Sequence, residues 1–481
     1  MIIAALGVLC VAVLVSWGVP RRGLTTTPLT AVAWLLSCAG AVLFVISGAR
    51  AIAGHPQRVV LPGLDGLGPA SLTVDALSGL FLVIAFGAAI PALCAAAATA
   101  NRVRPRLPAA VAAALTAMAV IIAADNFFVL LFGWEGLTVA FYLLAGYDRH
   151  RPGRAAASVV TAFFGRCSGA AVLTGSMLLS AHTHTLAFIR DGVDSRGAVG
   201  QTAYALLLLG FGCKVGLIPA HVWMPRGYRA APGPARAVMA GSAVNVGFYG
   251  MWRTLNVLGS PPTWLACTVL VVGGFTAILG IAHAAVHPDL AGLISWSSVE
   301  NAGVITAAFG AALAGATAQN AAMTAAGLVA ATAQVIAHAL GKTTLFVATT
   351  AIEQATATTD LDRLGAVVRR LPWAGTALVF GSLTLAGLPL TAGFASEWFT
   401  LESLMQQFRV QGLGLQLSTA IAGALVALTI GVAAVTFVRL VALTAFGPRR
   451  LDEPDYRAGG RRLDRQWSYR FAIALLGTGC L

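Results

Sequence analysis

Only two of the 31 basic residues in this chain are lysines, Lys214 in GFGCKVGLIPAHVW and Lys342 in VIAHALGKTTLF, and both sit inside hydrophobic runs. Four more ionisable side chains share that setting: Glu135 in LLFGWEGLTVAFYLL, Glu300 in SWSSVENAGVI, His338 one helical turn before Lys342, and Glu397 in GLPLTAGFASEWF. An ionisable group at the middle of a bilayer costs on the order of 2.5 to 3.5 kcal/mol on insertion scales. Six of them are more than neutral drift explains. Burial moves the pKa of a lysine down and that of a glutamate up, so both types can be brought to exchange protons near neutral pH, whereas arginine stays protonated under almost any burial. The chain writes arginine where it needs only charge, and keeps lysine for the two places where the charge must come and go.

Spacing supports a relay. Gln334, His338 and Lys342 step by four, which puts them on one stripe of a helix. A histidine, with an ordinary pKa of about 6.5, beside a buried lysine makes one step of a proton transfer. Each residue also has a plainer reading: His338 as a polar tie between two helices, and each Glu or Lys as half of a structural ion pair. Arg166 in AFFGRCSG tunes Glu135 or another carboxylate, or simply pairs two helices. His221, just past Pro219, is either the cytoplasmic end of a proton path or a cap on a broken helix. His283 and His287, four apart, have metal- or haem-ligand spacing, but their place at a membrane boundary fits interfacial histidines, and His182 and His184 fall in a loop. The seven cysteines are scattered with no C-x-x-C pair, and there is no Gly-rich nucleotide motif. No metal, no iron–sulfur or haem site and no cofactor is expected on this chain.

The elements that must position these groups are membrane helices. With 58% hydrophobic and 10% charged residues over 481 positions, the chain lies far outside the composition of soluble domains. Apolar stretches of spanning length fall near 1–19, 29–48, 76–98, 107–124, 126–146, 155–181, 200–219, 234–258, 263–286, 290–314, 322–352, 373–408 and 413–446. A fourteenth begins near Tyr469 with too few residues left to cross a bilayer, so the sequence is expected to stop inside a helix. The expected fold is an all-α integral membrane protein of about fourteen transmembrane helices, the last one truncated. The first stretch lacks a basic start and a cleavage site, and reads as a retained helix.

A formal charge of +13 raises the question of nucleic acid, and the position of the arginines excludes it. Arg21 and Arg22, Arg102 to Arg106, Arg149 to Arg154, Arg226 and Arg229, Arg363 to Arg370 and the tail from Pro448 to Arg470 all follow odd-numbered spans. By the positive-inside tendency the odd loops face the cytoplasm and the N-terminus faces outward. Loops are short except for 49–75, where LPGLDGLGPASLTVDALS has the turn density and alternation of a small hairpin. Helix breakers recur in spans 7 and 12, at Gly-Leu-Ile-Pro219 and at Gly387-Leu-Pro389 with Gly393. Discontinuous helices 7 and 12, five spans apart, suggest two inverted five-helix repeats around a mid-membrane site. The implied organisation is residues 1–106 with helices 1–3 and the outer hairpin, 107–258 as the first repeat, 259–446 as the second, and 447–481 as a basic cytoplasmic loop and the start of helix 14.

Over roughly residues 70 to 450 the chain resembles the antiporter-like subunits shared by respiratory complex I, multisubunit Na+/H+ antiporters and membrane-bound hydrogenases. The resemblance rests on NFFVLLFGWEGLTVAFYLL, KVGLIPAHVWMPRGYRAAP, DLAGLISWSSVENAGVI, HALGKTTLF and GLPLTAGFASEWF. SSVENAG and GFASEW are similar to the large membrane subunit of formate hydrogenlyase and hydrogenase 4. The resemblance implies that Glu135, Lys214, His338, Lys342 and Glu397 form a hydrated line along mid-membrane. Protonation would alternate between a Glu135–Lys214 pair and the His338/Lys342 group, driven by electron transfer in partner subunits. Those partners would be other membrane subunits and a peripheral hydrogenase or dehydrogenase arm with iron–sulfur clusters, in a bacterial or archaeal inner membrane. Two positions depart from the pattern. Asn245 stands where relatives often carry a lysine, and Ala291–Gly292 replaces a basic pair.

Three functions are open to such a chain. It is a proton-translocating subunit of an oxidoreductase complex, a subunit of a cation/proton antiporter, or an electron-carrying enzyme in its own right. The lack of cofactor motifs argues against the third.

Overall fold

A computed structural model describes residues 1–18, 26–61, 70–98, 106–190, 192–448 and 458–481. Arg21, Arg22, Arg102, Arg104, Arg449, Arg450 and Arg457 of the charge pattern, and residues 62–69 of the expected hairpin, lie outside these.

In a bilayer every backbone N–H and C=O has to be satisfied within its own segment, so apolar runs fold as helices. The chain begins with α1 (Ile2–Trp17) and α2 (Thr26–Ile52), an antiparallel pair of strands β1 (Gln57–Val60) and β2 (Ser71–Val74), and α3 (Ala76–Ala98). The pair of strands stands where a hairpin is expected. Then come α4 (Leu107–Ala123), α5 (Phe127–Ala145), α6 (Arg154–Thr183), α7 (Ala198–Val215), α8 (Trp223–Ala230), α9 (Gly233–Ala237) and α10 (Asn245–Leu258). The remainder is α11 (Thr263–Val286), α12 (Leu290–Thr317), α13 (Ala321–Thr356), α14 (Val367–Arg370), α15 (Pro372–Leu385), α16 (Ala392–Leu404), α17 (Leu413–Leu440), α18 (Ala458–Arg465) and α19 (Trp467–Cys480).

Among the described residues nine helical stretches are long and apolar enough to cross a membrane, and the chain is an all-α, multi-pass membrane protein. The other expected spans coincide with shorter helices, α1, α4 and α19, or with interrupted ones. Gly216 ends α7 at a φ of +80°, and Gly387 ends α15 at +60°, a region that glycine enters without the steric penalty of a Cβ. Thr391 restarts the chain as α16, its hydroxyl accepting from Phe394 N at 3.3 Å, as a helix-capping threonine does. One helix is expected over 234–258, but Val238–Ala243 forms a π-helical turn between α9 and α10. Just beyond it the Asn245 amide donates to Gly241 O at 3.0 Å, a side-chain bond that competes with the regular backbone ladder.

The chain divides into two units, Met1–Val215 with Ala230–Gly259, and Gly216–Arg229 with Ser260–Leu481. In the first, α10 packs on α7 and α3, and the even-numbered connections are knitted together at one end. Leu72 of β2 bridges Ala124, and Asn126 bridges Ala187. In the second unit α12 is the core helix. Of its most apolar window 94% is buried, against 33% for α17 at the periphery. The carboxylate of Asp464 on α18 accepts from Trp373 N at 3.4 Å and Ala374 N at 2.8 Å, capping α15 with an anion where its dipole favours one.

Candidate functional site

In the first unit Lys214 occupies the last turn of α7, 3% exposed. Its ammonium donates to Thr138 Oγ1 of α5 at 3.2 Å and lies 4.9 Å from the ring centre of Trp134 and 5.5 Å from that of Phe141, within cation–π range. Trp134 is fixed in turn. Its indole N–H donates to Ser168 Oγ at 3.1 Å, and that hydroxyl donates to Gly210 O at 2.6 Å, tying α5, α6 and α7 together.

Glu135, one turn of α5 before Thr138, faces α6. Arg166 Nη1 donates to its Oε2 at 2.6 Å, and the second carboxylate oxygen rests against Gly169, where a Cβ would overlap it. The contact joins α6 to α5 and places Arg166 on Glu135, an arrangement that serves both sequence readings of the arginine. This pair lies on the outer face of the unit, with the arginine side chain 71% and the glutamate 36% exposed. The expected Glu135–Lys214 pair is therefore not an ion pair in this conformation. Asn245 is fully buried, and its Oδ1 has no hydrogen-bond partner among the described residues.

The second unit gathers Glu300, Gln334, His338 and Lys342, each no more than 2% exposed. Glu300 accepts from Asn301 Nδ2 at 2.6 Å, and Asn301 Oδ1 accepts from Gln334 Nε2 at 3.0 Å. Two turns along the same stripe of α13, Lys342 Nζ donates to Ile294 O of α12 at 3.2 Å and to Ser297 Oγ. His338 is buried between Gln334 and Lys342. Glu397 sits in α16, its carboxylate seated against Gly387 in the break before it, where a Cβ would collide with Oε2. The helix break thus makes room for the glutamate.

Both lysines share a feature that composition could not reveal. Neither ammonium has an ion-pair partner among the described residues; each is held by a hydroxyl, and Lys342 by a carbonyl as well. A hydroxyl both donates and accepts. It can satisfy an ammonium or a neutral amine, so loss of the proton strands no buried anion, as it would in a tight Lys–carboxylate pair.

His221 lies in the second unit, its ring 5.5 Å from that of Trp296. His283 stacks on the same Trp296 with ring centres 4.4 Å apart, its Nδ1 2.8 Å from Leu279 O. His287 Nδ1 accepts from Asp289 N at 3.2 Å. Among the described residues no group of three or more His, Cys, Asp or Glu could hold a metal. Sequence reasoning missed Thr138, Ser297 and Asn301. It also passed over Arg253, a further buried charge on α10, eight residues past Asn245.

Residues 124–422, more than half of the sequence, match the family described as NADH:quinone oxidoreductase/Mrp antiporter, TM. The chain belongs to that family. Within it, hydrogenase-4 component B of Escherichia coli (strain K12) is 31% identical over 342 residues, covering 70% of this chain and 50% of that protein. NADH-quinone oxidoreductase subunit N of Geobacter metallireducens is 30% identical over 375 residues, covering 75% of this chain and 73% of that one. The solved Mrp complex from Dietzia sp. DQ12-45-1b contains a chain of the same fold, with a TM-score of 0.82 at 22% identity, covering all of this chain and 49% of that one. The chain thus spans about half the length of the first of these relatives.

Proposed function

We propose that this chain is the proton-translocating, antiporter-like membrane subunit of a respiratory oxidoreductase complex of the membrane-bound hydrogenase or NADH dehydrogenase type. The observation that carries the reading is the pair of buried lysines held by neutral oxygens, one in each unit. Glu135, Lys214, His338, Lys342 and Glu397 are the relay, with Glu300, Gln334, Asn245, His221 and Arg166 supporting it. A proton taken up at Lys214 leaves Thr138 bonded to the amine when it moves on. In the second unit Lys342 and His338 exchange protons along one stripe of α13, while the Asn301–Gln334 amides fix Glu300. No redox site or cofactor belongs to this chain in the proposal. Electron transfer in a peripheral arm with iron–sulfur clusters drives the cycle.

The exposed Glu135–Arg166 pair supports the assignment to a complex. Charge facing lipid is expensive, and a neighbouring membrane subunit is the cover that would supply polar contacts. The finer organisation belongs to the same proposal: fourteen helices, two inverted five-helix repeats, the boundaries near 106, 258 and 446, and the N-terminus on the outside of a bacterial or archaeal inner membrane.

A second reading, a subunit of a cation/proton antiporter, draws on the likeness to the Mrp complex. Proteoliposomes carrying the purified complex separate the two. Proton uptake that needs an electron donor and persists without sodium is the expected result. Sodium-dependent exchange with no electron donor present would favour the antiporter instead.

A further inference from the structure

The buried Arg253 belongs to an arrangement that the relay does not use. Asn245, Tyr249 and Arg253 step by four along α10, so one side of this helix carries a polar stripe, extending about 12 Å from the π-turn. All three side chains are buried, Arg253 at 8% exposure and the other two completely. At the inner end is Asn245, whose Oδ1 has no hydrogen-bond partner among the described residues. At the other end is a cavity of about 180 Å³, whose lining includes Thr73, Asp75, Asp125, Arg190, Arg253 and Asn256. These residues come from β2, the loop before α3, the α4–α5 and α6–α7 connections and the end of α10. All lie in or beside even-numbered connections, the side that the arginine pattern assigns to the outside.

Between the stripe and the cavity stands a closed knot of hydrogen bonds. Arg253 Nη1 and Nη2 donate to the two oxygens of Asp75 at 2.7 and 2.9 Å. Nη2 also donates to Ser78 Oγ at 3.0 Å and to Tyr249 Oη at 3.1 Å, and Nε donates to Tyr249 Oη at 3.2 Å. Ser78 in turn donates to Ile122 O at 2.7 Å. A guanidinium stays protonated in such a site, and an arginine fixed in a narrow polar passage repels hydronium and other cations. Its bidentate grip on Asp75 holds it there.

We propose that the Asp75–Arg253 pair is a proton-tight seal, closing the outer end of the α10 stripe so that charge moved past Lys214 and Asn245 does not leak to the outside of the first unit. The seal rests on the reading of this chain as an ion-moving subunit, but it acts in the idle complex and is measured there. The assembled complex is reconstituted in liposomes containing a pH-sensitive dye, given a pH step and no electron donor. Asp75→Asn/Arg253→Gln removes both charges together, leaving neither buried alone, and is expected to dissipate the gradient at least tenfold faster than wild type. Arg253→Lys keeps a cation and is expected to hold the gradient as wild type does. A double-amide variant as tight as wild type, or a lysine variant as leaky as the double amide, overturns the seal. Radical footprinting of the unaltered complex gives a second test: Tyr249, behind the seal, remains unmodified, and its oxidation by water-derived radicals overturns the proposal. Failure of the functional reading would appear only during turnover.

Discussion

The Lys214 ammonium meets the Thr138 hydroxyl at 3.2 Å, while Glu135, one turn away on the same helix, is bonded to Arg166. Lysine and glutamate are thus neighbours without being each other's ion-pair partner. A hydrogen bond to a charged group is worth about 1.5 to 3 kcal/mol. Thr138→Val removes it at nearly constant volume, and the expected result is proton uptake slowed about tenfold or more in reconstituted complex, with assembly unchanged on native gels. Unchanged uptake would mean that the hydroxyl does not serve the lysine.

Lys342→Arg separates a relay from a static charge. The guanidinium can still bond Ser297 and Ile294 O, but it does not release a proton in the physiological range. Proton uptake per electron is expected to fall to the level of Lys342→Met. A static role predicts instead that the arginine variant works and only the methionine variant fails.

Gly387→Ala tests the seat of Glu397. The glycine has φ of +60°, where a Cβ costs about 1 kcal/mol, and this Cβ would also collide with the Glu397 carboxylate. The variant is expected to lose thermal stability and proton uptake together. Leu390→Gly, at a neighbouring positive φ of 70° and 87% exposed, is expected to retain uptake, which a thermal melt and a pumping assay on both variants would check.

Asp75 gives a pH dependence outside the spans. Burial opposes ionisation there, but the hydrogen bond and charge of Arg253, with the bonds from Ser78, prevail and hold the carboxyl below the usual carboxylate range. A depressed acid contributes stability above its unfolded pKa of about 3.9, and that stability is lost as pH falls through its folded value. Melting curves of wild type and Asp75→Asn should therefore differ near neutral pH and converge only below about pH 4. A difference that vanishes already at pH 6 would assign it to something other than this carboxylate.

The residues of the proposed relay were legible because a charge inside an apolar run is conspicuous whatever the fold. Their partners were not. Thr138 and Ser297 are hydroxyls in membrane helices, where such groups commonly bond the preceding turn of their own backbone, as Thr138 does to Trp134 O at 3.0 Å. Only packing shows that a lysine also arrives. Arg253 carried a signal that went unread, since it lies at i+8 from Asn245 but close enough to a helix end to pass for a snorkelling side chain. The breaks after Lys214 and before Glu397 followed from Gly and Pro. The π-turn at Val238–Ala243 did not, because VMAGSA reads as uninterrupted helix.

Proton uptake by reconstituted complex containing Lys214→Met is the most direct test of the central claim, that the buried lysines gain and lose protons during turnover. The account predicts an assembled complex that still transfers electrons and takes up no protons. Uptake at the wild-type ratio of protons to electrons would contradict it.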